Sequence, residues 1–187
     1  MTKKPSNLPY LIASTGALAV IVAAWLGRDR IPSVAPGDAA PDFEAVTLDG
    51  RPASLDDFAG KIVLLNIWAT WCAPCEEEMP SMQRLYEELN SQGLEVVAVS
   101  IDARMGEVDA AGYPGGDIGK FARDHGLTFT ILHDPRGRIQ RTYMTTGVPE
   151  SFVIGRDGII YGKRAGAVEW DNPDLSALIR RLLDEEA

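Results

Sequence analysis

Two continuous apolar runs dominate the pattern of the chain, one over residues 62–68 and the other over residues 94–101. Neither run alternates apolar and polar residues, as a strand with one wet face would. We therefore predict two central strands that are covered on both faces. The segment between them predicts a helix from near Ala73 to Leu89, and the order strand, helix, strand predicts a right-handed parallel unit.

Shorter patterns flank this unit on both sides. The predicted elements are a hairpin over 43–55 turned at Asp49-Gly50, a helical turn over 55–60, a helix over 118–125, a strand over 127–132, a short helix over 138–144, a hairpin over 151–164 turned at Asp157-Gly158, and a helix over 172–183. The last helix has apolar residues at a helical period behind a capping Asn172 and Pro173. Together these elements predict an α/β fold with helices on both faces of a central mixed sheet.

The N-terminal segment differs from the rest of the chain. Residues 8–26 are mostly apolar, and 19 residues at the helical rise span roughly 28 Å, close to a hydrocarbon core of about 30 Å. Lys3 and Lys4 precede this run, although Arg28 and Arg30 weaken the charge asymmetry. We expect residues 1–27 to hold a cytoplasmic tip and a single transmembrane helix. A cleaved signal peptide is the alternative, and both interpretations export the remaining chain.

The exported part divides into a linker and one domain. Residues 28–41 contain three prolines and one glycine without an apolar period, which predicts a semi-extended linker. The folded domain is predicted over residues 42–187. Within it, residues 102–117 contain five glycines or prolines and four acids, and we expect this segment, called the insertion below, to be exposed.

The distribution of charge limits the kinds of partner. The formal net charge is −9, yet residues 1–30 carry four basic residues and one acidic residue. The remaining chain therefore has 14 basic and 26 acidic residues, a net of −12. A surface of that sign repels phosphate backbones, which argues against nucleic-acid binding.

Cys72 and Cys75 are the two cysteines of the chain, too few for a disulfide-stapled scaffold. Their C-x-x-C spacing between a strand and a helix predicts a redox pair. Pro74 suits the first turn of a helix, and the positive end of the helix dipole stabilises a thiolate there. We interpret Cys72 as the attacking thiol and Cys75, one turn further in, as the resolving thiol.

Two other uses of the cysteine pair are less consistent with the sequence. An inert structural disulfide is one of them. Half of a zinc or copper site is the other, but it needs two more ligands, and His125 and His133 are separated by a predicted strand. We therefore predict no metal site.

Three motifs resemble one family of redox proteins. They are Trp-Ala-Thr-Trp-Cys-Ala-Pro-Cys over 68–75, Glu-Met-Pro over 78–80, and Gly-Val-Pro over 147–149 before an apolar strand. Over residues 38–187 the chain resembles thioredoxin-fold proteins and, more narrowly, the membrane-anchored TlpA/ResA-like thiol–disulfide oxidoreductases. The resemblance implies a thioredoxin-like fold with an N-terminal β-hairpin extension, and no cofactor besides the redox-active Cys72–Cys75 disulfide.

The resemblance also implies how protons are handled. Thioredoxins have a buried aspartate six residues before the first cysteine, a position that here holds Asn66. The substitute carboxylate of the family matches Glu78, which shares a helix face with Cys75 and could accept or return its proton. From the residues alone, the alternative is that Glu78 belongs to a solvated helix face together with Glu76 and Glu77.

The same resemblance implies a surface for substrate. It predicts a cis peptide bond before Pro149, opposite the disulfide, and a Val148 backbone that pairs with an incoming extended peptide. The implied surface is completed by Trp71, Ala73 and Pro74. Where the family often has Thr-Thr after this proline, the chain has Glu150 and Ser151, which places an extra acid near the docking groove.

The expected function is reduction of cysteine pairs in exported proteins. The resemblance implies substrates such as apocytochrome c or copper-site oxidase subunits, and a membrane electron donor of the CcdA/DsbD type. A peroxiredoxin-like peroxidase is one alternative, although the P-x-x-x-T-x-x-C motif would need threonine where the chain has Ala69. A non-enzymatic metal-binding module on the same fold is the other. The direction of electron flow depends on the reduction potential of the cysteine pair.

Overall fold

The computed structural model describes residues 34–185. In this part of the chain, seven strands form one sheet. The strands are β1 (Ala45–Thr47), β2 (Pro52–Ala53), β3 (Ile62–Trp68), β4 (Leu94–Ser100), β5 (Thr130–His133), β6 (Glu150–Ile154) and β7 (Ile160–Ala165). The helices are α1 (Ala73–Leu89), α2 (Ile118–Asp124), α3 (Arg138–Thr142) and α4 (Pro173–Asp184), with 3₁₀ turns at Leu55–Phe58 and Asn90–Gln92.

The sheet is mixed, with the strand order β2-β1-β5-β4-β3-β6-β7. Strand β4 pairs in parallel with β3 and β5, whereas the β1–β2, β1–β5, β3–β6 and β6–β7 pairs are antiparallel. All seven residues of β3 are buried, because this strand lies inside the sheet with both faces covered. The predicted parallel unit and the predicted central strands are therefore confirmed.

Helices cover both faces of the sheet, as predicted. Successive residues of a strand point to opposite faces, and on β6 these are Ser151 and Phe152. Ser151 accepts a hydrogen bond from Asn66, whose amide also contacts Glu78 of α1. Phe152 instead packs against Tyr143, the residue after α3, with ring centroids 4.9 Å apart. Helices α1 and α3 thus lie on opposite faces.

Strand β5 begins at Thr130, three residues later than predicted. The chain leaves α2 through a turn in which Gly126 takes a left-handed conformation with φ 62°. In this ending the Leu127 N–H donates to the Ala122 carbonyl at 2.9 Å. Leu127 is therefore held by the helix and is not available to the sheet.

The chain contacts the domain earlier than the predicted boundary at residue 42. Gly37 N–H donates to the Ile160 carbonyl at 2.8 Å, and Ile160 N–H donates to the Asp38 carbonyl at 2.9 Å. Residues 37–40 therefore run beside the start of β7, although the sequence analysis assigns them to the linker. Residues 37–40 are held against the domain by main-chain hydrogen bonds, which the absence of an apolar period in their sequence did not indicate.

The predicted transmembrane helix over residues 8–26 lies outside the described residues. Within residues 34–185, no helix combines the length and the apolar character that a membrane crossing requires.

Candidate active site

The cysteine pair lies where β3 turns into α1. Cys72 is the N-cap of α1 with an extended backbone, and its Sγ accepts a hydrogen bond from the Cys75 N–H at 3.2 Å. The two residues form a disulfide with their Cα atoms 5.2 Å apart. Cys72 keeps 5% of its surface exposed and Cys75 keeps 0%. An incoming partner can therefore reach Cys72 first, and Cys75 lies behind it.

Helix α1 starts and continues for identifiable reasons. Pro74 is in its first turn, where the missing N–H removes no helical hydrogen bond. Pro80 lies inside the helix, where it removes one such bond. The helix persists through it because Met79, Met82 and Leu85 are fully buried, so their packing outweighs the lost bond.

Glu78 is buried, and the solvated-face alternative is therefore wrong. Its Oε1 accepts a hydrogen bond from Asn66 Nδ2 at 2.7 Å, and its Oε2 accepts one from Trp170 Nε1 at 3.4 Å. Asn66 donates also to Ser151 Oγ at 2.8 Å. The carboxyl group thus ends a polar chain that crosses from α1 through β3 to β6.

Burial controls the proton affinity of Glu78. Removal from water raises the pKa of its carboxyl group to about 7, and this effect exceeds the opposing hydrogen bonds from Asn66, Val168 and Trp170. A carboxyl group with this pKa exchanges its proton near neutrality. Because Glu78 lies three residues after Cys75 on α1, the two share a face of the helix.

The peptide bond between Val148 and Pro149 is cis, as the resemblance implies. The Pro149 carbonyl accepts a hydrogen bond from Gly166 N–H at 2.9 Å, which extends the pairing of β6 with β7 into this loop. Val148 is half-buried and packs against the core.

Glu150 does not place a free acid in the groove, contrary to the sequence expectation. Its side chain is buried and lies 2.9 Å from the Lys163 ammonium group. The second carboxylate oxygen accepts the Thr146 N–H at 3.2 Å. The charge of Glu150 is therefore balanced inside the β6–β7 pair.

Trp71 has a partner that the sequence did not indicate. Its indole stacks on the ring of Tyr113 from the insertion, with centroids 4.0 Å apart and planes inclined by 9°. Aromatic rings at this separation attract one another beyond their area burial. The residue before the attacking cysteine is thus covered by a segment 42 positions away in the sequence.

A second contact ties the insertion to the redox loop. Asp102 is fully buried, and its carboxylate accepts hydrogen bonds from Thr70 N–H at 2.9 Å and Thr70 Oγ1 at 2.5 Å. It also accepts from Ser100 Oγ at 2.6 Å and Gly116 N–H at 3.2 Å. The expectation of a wholly exposed insertion is therefore wrong at its first two residues, since Ala103 is buried as well. The sequence did contain a signal for this contact. Asp102 directly follows a predicted buried strand, and that strand ends at the same edge of the sheet as the strand that leads to the cysteines.

The histidines take part in local contacts. His125 Nε2 lies 3.4 Å from Glu76 Oε1, and its ring packs on Phe121. His133 Nε2 lies 2.8 Å from the Asp102 carbonyl. Among the described residues, no group of three or more His, Cys, Asp or Glu side chains is arranged to hold a metal ion.

A cavity of about 630 Å³ lies beside the N-terminal hairpin, away from this chemistry. Its lining includes Val46, Pro52, His133 and Arg138, and neither cysteine contributes to it. The cysteine pair lies outside this cavity, and the 5% of Cys72 that is exposed is the part a partner can reach.

Comparison with known proteins agrees with this geometry. The AhpC/TSA family matches residues 36–163. The thiol-disulfide oxidoreductase ResA of Geobacillus thermodenitrificans is 40% identical over 126 residues, which are 67% of each chain. ResA of Bacillus thuringiensis subsp. konkukian is 39% identical over 122 residues, 65% of each chain.

Solved structures share the fold. A thiol:disulfide interchange protein DsbE from Chlorobium tepidum is similar with a TM-score of 0.70 and 34% identity, over 81% of this chain and 99% of that one. The β3–α1–β4 unit, the disulfide at the start of α1 and these likenesses lead to one conclusion. The chain belongs to the AhpC/TSA family and is a TlpA/ResA-like thiol–disulfide oxidoreductase with a thioredoxin-like fold.

Proposed function

We propose that this oxidoreductase works outside the cytoplasm, tethered to the membrane, as a reductant of disulfides in other proteins. The observation that carries the proposal is the unequal burial of the two sulfurs at the start of α1. Cys72 keeps 5% of its surface exposed, whereas Cys75 is fully buried on the helix face that it shares with Glu78. One sulfur can meet a partner and the other can only react internally.

The reaction begins with the reduced protein. The Cys72 thiolate, stabilised by the N-terminal end of α1, attacks one sulfur of a substrate disulfide. A Cys72–substrate disulfide forms, and the second substrate sulfur leaves as a thiolate that takes a proton from water. Cys75 then attacks Cys72, which releases the first substrate sulfur as a thiolate. Two electrons pass to the substrate, and the Cys72–Cys75 disulfide remains.

Glu78 serves the second step as an acid–base group. Cys75 must lose its proton before it can attack, and it is buried away from water. The Glu78 carboxylate accepts that proton, and its pKa of about 7 allows it to release the proton again near neutral pH. Asn66 holds the carboxylate in place at 2.7 Å.

The surface around Cys72 binds the substrate chain. The Val148 backbone pairs with an extended peptide beside the cis Pro149. Trp71, Ala73 and Pro74 belong to the same proposed contact surface. Main-chain pairing does not depend on the side chains of the substrate. The residues of this contact surface alone therefore discriminate little among substrate sequences.

The N-terminal segment supports the proposed compartment, and the family resemblance supports the proposed partners. An apolar run over residues 8–26 behind Lys3 and Lys4 supports a single-pass anchor with the domain on the exported side. Exported compartments oxidise thiols, so a reductant there needs electrons across the membrane. We propose a donor of the CcdA/DsbD type, and substrates with cysteine pairs such as apocytochrome c or copper-site oxidase subunits.

The test is to trap the intermediate in cells. In a Cys75→Ser variant, the Cys72–substrate disulfide cannot be resolved and accumulates as a covalent adduct that reducing agent removes. Cys72→Ser is the control and should give no adduct. If Cys75→Ser forms no adduct, the mechanism is wrong. The reduction potential then sets the direction, since a value near roughly −270 mV marks a reductant and one near roughly −120 mV an oxidant.

A further inference from the structure

The insertion exposes an unusual density of apolar surface. Among the described residues, three of the six large exposed apolar side chains lie within residues 105–113. Met105 is 70% exposed, Val108 is 65% exposed, and Tyr113 also faces solvent on one side. We call Met105, Val108 and Tyr113 the insertion surface. Clustered exposed apolar side chains mark interaction sites more often than scattered ones do.

The segment that carries this surface is folded on itself. Residue 105 pairs with residue 115, and residue 108 pairs with residue 114. The Asp109 carboxylate accepts hydrogen bonds from the N–H groups of Ala111 and Tyr113 at 2.8 and 2.9 Å. The backbone that carries the apolar side chains is thus ordered before any partner arrives, which lowers the entropy lost on binding.

The insertion surface is continuous with the redox site. Tyr113 stacks on Trp71, the neighbour of Cys72, at 4.0 Å. At the base of the insertion, Gly116 and Thr70 share the Asp102 carboxylate. A chain bound at Cys72 therefore meets the insertion next.

The surroundings of this surface are acidic. Exposed carboxylates are present at Glu107 and Asp117 on the insertion and at Glu76 and Glu77 at the start of α1, and Asp109 on the insertion is half-buried. The basic groups nearby are Arg104 on the insertion, Lys120 and Arg123 on α2, and His125 directly after α2. Lys120 is paired with Asp124, and His125 lies 3.4 Å from Glu76. The part of the chain after residue 30 has a net charge of −12. Such a field attracts cationic partners and repels acidic ones.

We infer that the insertion surface binds the segment of the substrate that flanks its disulfide, and that it selects extended polypeptides with apolar and basic side chains beside the cysteines. This inference rests on the proposed function and adds a determinant of substrate choice to it. Cys72 performs the exchange, the Val148 backbone pairs with the chain irrespective of sequence, and the insertion surface discriminates among chains by side chain.

The experiment uses the full chain and two synthetic peptides with the same internal disulfide. One peptide has leucines and lysines beside the cysteines, and the other has glutamates in place of the lysines. The small neutral bis(2-hydroxyethyl) disulfide normalises every rate. The Met105→Ser/Val108→Ser variant should lower the normalised kcat/KM for the lysine peptide about fivefold, mainly through KM. The matched control is Leu48→Ser, which removes a 50% exposed leucine on the N-terminal hairpin and should leave the ratio unchanged.

A second variant tests charge without touching the fold of the insertion. Glu107 is exposed, and Glu107→Lys should lower kcat/KM for the lysine peptide and raise it for the glutamate peptide. In the wild type, the preference for the lysine peptide should shrink at about 0.5 M salt, where the screening length falls to a few ångströms. Unchanged ratios in both variants overturn the inference and leave the proposed function intact. If the wild type reduces neither peptide nor the small disulfide, both proposals fail.

Discussion

Glu78 and Asp102 are both buried carboxylates close to the cysteine pair, but the protein surrounds them differently. Glu78 receives one side-chain hydrogen bond on each oxygen, at 2.7 Å from Asn66 and at 3.4 Å from Trp170. Asp102 receives four, two of them from the backbone. Burial dominates at Glu78 and raises its pKa to about 7, whereas at Asp102 the donors join three segments. At Glu78 burial therefore outweighs the hydrogen bonds, whereas the four donors of Asp102 hold the Thr70 loop and the insertion together.

The largest expected effect comes from removing the Asp102 carboxylate. Asp102→Ala leaves the Thr70 and Gly116 N–H groups and two hydroxyls without their acceptor, and it opens a small cavity. We expect a loss of about 4 kcal/mol in the free energy of unfolding, measured by urea denaturation. Asp102→Asn keeps one acceptor oxygen and should lose less. A loss below about 1 kcal/mol for Asp102→Ala would mean that water replaces the four hydrogen bonds.

The next effect concerns Glu78 and depends on pH. Its pKa is raised from 4.5 to about 7 in the folded protein, so folding favours the protonated form. The stability that this group contributes is complete below about pH 4.5 and is lost as the pH rises through 7. The Gln side chain of Glu78→Gln does not titrate. The free energy of unfolding of this variant, relative to that of the wild type, should therefore rise by roughly 3 kcal/mol between pH 4.5 and pH 8.

Urea unfolding of the oxidised protein at pH 4.5 and at pH 8 measures this difference. Glu77→Gln is the matched control because it removes an exposed carboxylate from the same turn of α1, and it should change little at either pH. If the stability of Glu78→Gln relative to the wild type is the same at both pH values, Glu78 does not hold a proton more tightly in the folded state.

A smaller effect is expected at the glycine that donates to Asp102. A Cβ at Gly116 would overlap the Thr70 hydroxyl and approach Asp102 Oδ1 to 3.1 Å. Gly116→Ala should therefore displace the Thr70 hydroxyl and cost about 2 kcal/mol in thermal or urea unfolding. Gly147→Ala is the control, because a Cβ there meets no atom within 4 Å and the backbone has no positive φ. Equal stabilities for the two variants would show that the Thr70 contact is loose.

The sequence predicted those parts of the site that depend on residues close together along the chain. Two unbroken apolar runs identified β3 and β4, and the spacing of Cys72 and Cys75 identified the start of α1. Glu78 was harder because it follows two other glutamates. Its position three residues after Cys75 and four before Met82 places it on the apolar face of α1, so the helical period does carry the signal.

The remainder depends on contacts between distant residues. Tyr113 and Trp71 are 42 positions apart, and Asp102 and Thr70 are 32 positions apart. The insertion has no apolar period, so local patterns gave no reason to place it against the redox loop. The late start of β5 has a local cause instead, because the Leu127 N–H donates to the Ala122 carbonyl in the turn that ends α2.

The smallest predicted effect tests the aromatic contact that supports the Asp102 anchor. Tyr113→Ala removes a ring that stacks on Trp71 at 4.0 Å but leaves the hydrogen bonds of Asp102 in place. We expect a loss of about 1 kcal/mol in unfolding free energy, together with a red shift of Trp71 emission as the indole meets water. Tyr113→Phe keeps the ring and should match the wild type in both measurements. A Tyr113→Ala protein with unchanged stability and emission would show that the hydrogen bonds of Asp102 hold the insertion without the aromatic contact. Holding this loop would then be the work of Asp102 alone, which separates its role further from that of Glu78.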